Sequence, residues 1–376
     1  MYRIDLLPAE YGDAIWLEYG QGRRINRLLI DCGTAAVYPR IRERILALPE
    51  GQRHFELLLV THVDLDHIGG ALALLRDSAS LGVSFGEIWF NGYMHLSPGG
   101  VVPAAADDTL GPLQGEELSD LIVAHGRQCW NAVVRGGALL VPEEGPLPQL
   151  SLPGGMRLTL LSPYQEQLDA LRPAWEAACR KAGIVPGVAT ADDASRLEED
   201  DAAPEDDDLL GDPDPEQLAA RPYKADRARP NGSSIALLAE YGGRRALLTG
   251  DAFAEVLLAS LARLPGNGGG RLAVDACKLS HHGSRGNTSS ELVRALHCRD
   301  WLVSSNGKQF RHPDGEAIAR VLRDGGGDVR LHFNYRSEFN EMWSSSALQR
   351  RHRYTASYPA SDAGGIRLDL SRRRLR

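Results

Sequence analysis

The chain has 376 residues, 43% of them apolar and 6% aromatic, enough to build a buried core and to exclude wholesale disorder. No stretch approaches eighteen uncharged apolar residues, which excludes a spanning helix, and the opening MYRIDLLPAEYGD lacks the basic-then-apolar pattern of a secretory leader, so no membrane association and a cytoplasmic location are expected. The net charge of −8 is uneven: residues 192–216 carry 13 acids against one Arg, whereas residues 350–376 carry eight Arg against two Asp, so a polyanionic substrate stays open.

Residues 2–7 and 13–19 alternate as short strands, and RLLIDCG (27–33) is a buried strand ending in Asp31 and Gly33. A helix is expected over 39–49. FELLLVTH (55–62) is an apolar run that stops abruptly in polar residues, as a buried strand does when it delivers a loop to a site. A short helix over ALALLRD (71–77), a strand over 85–93, a helix within 112–130 and a strand over 156–163 follow. SSIALLAEYGGRRALLTGD (233–251) reads as a hairpin with a Gly-Gly turn, and Asn231-Gly232 as the turn before it. Beyond it come a helix over 254–264, a strand over 273–282, a helix over 289–296, a strand over 301–306, a helix over 316–324 and a strand over 329–335. Residues 186–228 are rich in Pro, Ala and acids without a sustained period, and are expected to be a mobile, disordered insertion within a single domain spanning 1–376. Cys32, Cys129, Cys179, Cys277 and Cys298 are odd in number and never spaced as CxxC, so no disulfide framework or cysteine zinc site is expected.

The residues that carry chemistry are THVDLDHIGG, 61–70, in which His62, Asp64, Asp66 and His67 form an HxDxDH array. Four such fixed matches should arise by chance in roughly two of a thousand chains of this composition. In an extended loop positions i and i+2 face the same way, so His62 and Asp64 can clamp one cation while Asp66 and His67 turn toward a second. Imidazole with carboxylate is a ligand set for first-row metals. Gly69 and Gly70 let the next helix start close to the metals. Three later segments repeat the pattern of apolar strand then polar residue: ALLTGDA ends in Asp251, CKLSHHGS in His281 and His282, and WLVSSNGKQFRHPD in His312. Asp13 and Asp31, near strand ends, are placed to orient ligating histidines from behind.

LLIDCG, THVDLDHIGG, LLTGDA and KLSHHGS together resemble the metallo-β-lactamase superfamily, in the form found at the C-terminus of ComEC-type competence proteins, with phosphorylcholine esterase more distant. The resemblance spans residues 1–95 and 156–340, without the membrane channel of the competence proteins. It implies an α/β fold, a four-layer αββα sandwich with two divalent metal ions, Zn²⁺ or Mn²⁺, at one edge. Asp251 would bridge them. His62, Asp64 and one tandem histidine would complete one site; Asp66, His67 and His312 would complete the other. Analogy with the esterase makes His282 the ligand and His281 the residue facing substrate, with the reverse assignment open; strand phasing favours one ligand from the pair, because neighbouring side chains on a strand point oppositely. No His precedes Asp251 at the superfamily's usual third motif; Asn231 lies nearby instead. The chain also resembles free-standing members encoded beside proteases and ATPases in phage-defence loci, which implies a protein partner encoded nearby.

The implied chemistry is hydrolysis by a metal-bridging hydroxide, with Asp66 and His281 as catalytic residues and His281 protonating the leaving oxygen. Arg285, Lys308 and Arg311 stand beside the ligand segments and are candidates for binding phosphate, and the basic stretch 350–376 for tracking a nucleic-acid backbone. The first reading is therefore a phosphodiesterase, specifically a nuclease with nucleic acid as partner. A hydrolase of small lactones, thioesters or phosphoesters, and a metal-holding partner-binding subunit, are the alternatives.

Overall fold

Adjacent residues in the first strands point to opposite sides, and over Ile15–Leu17, Leu28–Ile30 and Leu57–Leu59 both sides are apolar. β1 (Tyr2–Leu6), β2 (Ile15–Gln21) and β3 (Arg24–Ile30) form an antiparallel meander in which Leu17 lies opposite Ile4 on one neighbour and Leu28 on the other. After α1 (Tyr38–Leu46) the chain returns as β4 (His54–Leu59), parallel to β3, and after α2 (Leu65–Leu81) as β5 (Ser84–Trp89), parallel to β4. Leu17, Leu28 and Leu57 face inward, whereas their neighbours Trp16, Leu29 and Leu58 face outward onto Ile41, Leu74 and Leu118 of α1, α2 and α3 (Gly111–Gly126). A period of two with both sets apolar is what a sheet covered on both faces requires.

The computed structural model describes residues 1–96, 111–188, 214–265, 270–361 and 363–371. Its second half supplies β6 (Gln149–Ser151), β7 (Arg157–Ser162), α4 (Gln165–Ala182), α5 (Pro215–Ala220), α6 (Arg229–Gly232), β8 (Ala236–Tyr241), β9 (Arg244–Leu248) and α7 (Ala254–Ala262). There follow β10 (Leu272–Ala273), β11 (Ala276–Lys278), α8 (Ser290–Arg294), β12 (Leu296–His297), β13 (Asp300–Val303), α9 (Gly315–Asp324), β14 (Val329–Phe333), β15 (Tyr354–Ser357) and β16 (Ile366–Asp369). Eight of these strands make the second sheet, in the order β15-β14-β13-β11-β9-β8-β7-β6; β16 crosses back to pair with β1, and β10 and β12 form a small separate pair. Leu158, Leu237 and Leu248 of this sheet turn toward the inner face of the first, whereas Leu247 and Trp301 point the other way, toward Leu292 and Val293 at α8; all belong, with Leu257 of α7 and Ile318 of α9, to one apolar cluster. The result is the expected four layers, helices outside two sheets. All five cysteines are buried and free, and among the described residues no helix is long and apolar enough to cross a membrane.

Three expectations change. The helix expected over 71–77 begins six residues earlier, so Asp66 and His67 lie in its first turn and Asp64 is its N-cap residue. Gly69 and Gly70 therefore do not mark the helix start. They let α2 pass against the turn after β3: a Cβ at Gly70 would lie 2.2 Å from the Cys32 carbonyl oxygen, and one at Gly69 2.7 Å from the Ala35 nitrogen. Second, α4 is an element beyond those expected, with Leu168, Leu171, Trp175 and Cys179 burying one stripe of it. Third, the expected disordered insertion is ordered at its end. Residues 189–213 lie outside the described residues, but Asp214 caps α5, Pro215 opens it, and Leu218 and Ala219 are buried. Residues 221–228 then run as an extended strap to α6. The basic stretch 350–376 includes β15 and β16, with 372–376 outside the described residues.

Gly70→Ala should destabilise the fold by about 1–3 kcal/mol, because backbone must move to admit the methyl group. Gly51→Ala, at a position with nothing within 4 Å, should leave stability unchanged. The midpoints of urea unfolding compare them directly; equal midpoints would show that α2 does not depend on this approach.

Candidate metal centre

The strands deliver their polar ends to one edge. Asp31 follows β3, Thr61 and His62 follow β4, Asp251 follows β9, the tandem histidines follow β11 and Ser304 follows β13, while Asp13 arrives on the β1–β2 connection. Asp13 is locked there: its N–H donates to the Asp66 carbonyl at 3.1 Å and its own carbonyl accepts from Gly33 at 2.7 Å.

Hydrogen bonds fix how each histidine presents itself. Asp31 accepts from Thr61 N–H at 2.7 Å, from the Thr61 hydroxyl at 2.8 Å, and from His67 Nδ1 at 2.8 Å. The Thr61 hydroxyl, having given its proton to Asp31, accepts from His62 Nδ1 at 3.0 Å. His282 Nδ1 donates to the Ser304 carbonyl at 2.9 Å, and His281 Nδ1 lies 3.1 Å from Asn287 Oδ1 and 3.4 Å from Asp226 Oδ2. In each ring Nδ1 carries the hydrogen, so Nε2 is free to offer a lone pair. All four Nε2 atoms converge on Asp251 Oδ2: His67 at 3.4 Å, His282 at 3.5 Å, His281 at 3.9 Å and His62 at 4.0 Å.

Around this oxygen the donors divide. Asp66 Oδ2 lies 3.1 Å from His282 Nε2 and 3.7 Å from His67 Nε2, and those two nitrogens are 3.3 Å apart. Ligand atoms about one cation with bonds near 2.1 Å are separated by roughly 3.0–3.4 Å, so Asp66, His67, His282 and Asp251 fit a shared metal. A second, looser group is His62 Nε2 with Asp64 Oδ2 at 3.3 Å and Asp251. His62 Nε2 and Asp251 Oδ1 are buried without a hydrogen-bond partner, which is costly in a folded protein unless a cation completes them. The rings of His62, His67 and His282 are fully buried, and that of His281 is 22% exposed.

The electrostatics match. Burial opposes charge on His67 and His282, yet the facing carboxylates, Asp251 foremost, outweigh it and hold both above the usual imidazole range. Burial opposes charge on His281 too, and Asp251 and Asp226 push it up to about 10. Burial would raise Asp251, but His67, His282 and His281 hold it well below the carboxylate range. The site is a pocket of negative charge that attracts cations.

Two groupings differ from those expected. His282, not His312, stands with Asp66 and His67. His312 has its ring 5.1 Å from that of His281, and its ion contact is with Asp314 at 3.7 Å. Nor does strand phasing choose between the tandem pair, because β11 ends at Lys278 and both histidines adopt left-handed backbone, φ 46° and 55°. Strand alternation does not operate there, so both rings reach Asp251. Such residues cost about 1–2 kcal/mol each and persist where surroundings over-determine them. Of the expected phosphate-binding cations, Arg285 is engaged by Glu316 at 3.4 Å. Lys308 and Arg311 are exposed on the loop that carries His312, without an acidic partner among the described residues.

Two functional residues escape the motifs. Lys278 is fully buried, its ammonium paired with Asp13 and 3.8 Å from Asp251 Oδ1. A lysine inside the apolar run AVDACKLS was the available signal. Asp13 lies within 4.8 Å of the donors of His67, Asp251 and His282; since Lys278 holds its carboxylate, it serves better as a support for His282 Nδ1, at 3.4 Å. The second is Asp226, on the strap, which accepts from Asn231 at 2.8 Å and Asn287 at 3.0 Å beside His281. Nothing in the basic, Pro-flanked sequence around it, RPYKADRARP, marks it.

Residues 11–123 match the family model described as the metallo-beta-lactamase superfamily. Over 124 residues the chain is 29% identical to ComE operon protein 3 of Bacillus subtilis (strain 168), which covers 31% of this chain and only 15% of that protein. Among solved structures, CmlA, a diiron beta-hydroxylase from Streptomyces venezuelae, aligns over 98% of this chain and 54% of its own, with 14% identity and a TM-score of 0.40. A protein of Parabacteroides distasonis ATCC 8503, provisionally named a metal-dependent hydrolase, aligns over 88% and 93% with 12% identity and a TM-score of 0.36.

Removing the negative charge behind His67 should weaken metal binding without unfolding the chain. Asp31→Asn is expected to lower Zn²⁺ or Mn²⁺ affinity about 10–100-fold in calorimetric titration, and His282→Ala to remove one equivalent of bound metal. Full stoichiometry in His282→Ala would break the grouping described.

Proposed function

We propose, for a chain whose residues 11–123 match the metallo-beta-lactamase superfamily model, a metal-dependent phosphodiesterase that holds two divalent cations and acts on nucleic-acid strands. The observation that carries the reading is the convergence of four imidazole Nε2 atoms on the single carboxylate oxygen of Asp251. Asp66, His67, His282 and Asp251 would hold one cation. His62, Asp64 and Asp251 would hold the other, and three protein ligands leave room for substrate. Bound there, such a pair of cations activates water and stabilises charge on a phosphoryl group.

The chain's own residues supply the rest. His281 has the exposed ring of the four, at the mouth of the centre, and Asp226 and Asn287 fix its orientation. It is the residue placed to give a proton to the departing oxygen. Asp66, within 3.7 Å of two histidines, holds the inner side of the centre and orients the attacking water. Lys308 and Arg311 favour a phosphate ester over a neutral carbon ester, because exposed cations beside the site suit a substrate that keeps its negative charge.

The test is hydrolysis by protein stripped of metal and reloaded with Mn²⁺ or Zn²⁺, offered bis-p-nitrophenyl phosphate and labelled single- and double-stranded DNA. Turnover should need metal and fall by at least about 1,000-fold in Asp251→Asn, with the circular dichroism spectrum unchanged. Metal-loaded protein that cleaves none of these substrates overturns the reading; cleavage of a lactone or thioester instead reassigns the site to carbon esters.

A further inference from the structure

Two aromatic rings stand at the rim of the centre, and neither belongs to the metal ligands or to the apolar clusters. Tyr11 and Phe310 meet edge to face, with ring centroids 5.5 Å apart and planes at 82°. Both are partly exposed. Tyr11 precedes Gly12, whose Cα is packed so closely on Asp66 that a Cβ there would lie 1.8 Å from the Asp66 carbonyl oxygen. Phe310 is two residues before His312, and those rings are 6.4 Å apart. The pair is therefore anchored at one end to Asp66 of the centre and lies at the other beside His312, whose ring neighbours that of His281.

The loops that carry the rings are held in place. Asn306 N–H donates to the Glu10 carbonyl at 2.8 Å, joining one loop to the other. The side chains of Ser305 and Asn306 accept from the backbone of Gly307 and Lys308, at 3.0 Å each, and Arg311 N–H donates to the Gly307 carbonyl at 3.1 Å. Gly307 has φ 77° and sits against the Phe339 ring. A partly exposed aromatic on a loop tied down in this way loses little freedom when a flat ligand stacks on it. Lys308 and Arg311 flank Phe310 in sequence, and both are exposed. A partly exposed ring face, braced by the edge of a second ring and lying between two cations in sequence, beside a centre for cleaving phosphate esters, suits a base with a phosphate on either side.

We infer that Tyr11 and Phe310 form a stacking subsite for the nucleobase next to the scissile phosphodiester, so that the substrate is a nucleotide strand with its bases accessible. The inference rests on the phosphodiesterase reading and adds to it what the enzyme reads beyond the phosphate. Lys308 and Arg311 would contact backbone charge and contribute no preference among bases.

The test compares two diesters with the same leaving group: the p-nitrophenyl ester of thymidine 5′-phosphate and methyl p-nitrophenyl phosphate. With the metal-loaded wild-type protein, kcat/KM for the thymidine ester should exceed that for the methyl ester about 5- to 150-fold, the range that base–aromatic stacking supplies. In Phe310→Ala and Tyr11→Ala the ratio should fall toward about one, and Phe310→Trp should restore it. A ratio near one in the wild type, or a ratio that survives Phe310→Ala in folded protein, overturns the subsite while leaving the phosphodiesterase reading intact. Failure to turn over either ester overturns that reading and the subsite with it.

Discussion

The structure turns on one buried carboxylate. Asp251 is 2% exposed and faces four imidazole nitrogens that their own hydrogen bonds have turned toward it. Lone pairs gathered around a carboxylate repel unless positive charge lies between them, so the arrangement is stable only with protons or metal ions in place. Everything nearby serves that need. Asp31 and Asp226 stand behind two of the rings, and Lys278 neutralises Asp13 from within the second sheet. The carboxylates in the centre are too close and too dry to carry their charges alone.

The fold brings this about by ordinary means. Both faces of the first sheet are apolar, so α1, α2 and α3 cover one face while the second sheet covers the other. Strands sandwiched in this way can expose polar groups only at their ends. Parallel β3, β4, β9, β11 and β13 place those ends along one edge. The close approach of α2 to the Cys32–Ala35 turn then sets the depth at which Asp66 and His67 enter.

Much of this was legible in the sequence. HxDxDH after an apolar strand, LLTGDA, and KLSHHGS identify seven of the residues at or beside the centre, because apolar strands rarely end in clustered His and Asp unless those ends meet at a metal. What could not be read was conformation at single residues. Nothing in Ser280-His281-His282-Gly283 announces two consecutive left-handed residues, so alternation along a strand gave the wrong reason for choosing between the histidines. His312 follows a strand as His282 does, and only the three-dimensional path shows that it stands beside the pair instead of joining Asp66. Asp226 was hidden because a single acid among the cations of RPYKADRARP reads as an ordinary surface ion partner; its role comes from Asn231, Asn287 and His281 folding around it.

The donors come from both halves of the molecule. His62, Asp64, Asp66 and His67 belong to the first sheet and its helix, Asp251 and the tandem histidines to the second, and the inter-sheet apolar core lies behind them. A cation held by these residues would therefore clasp the seam between the two layers, adding to the apolar contacts that already join the sheets. Metal content and the cohesion of the two layers would then rise and fall together: the ions that would equip the protein for chemistry would also help to hold its halves.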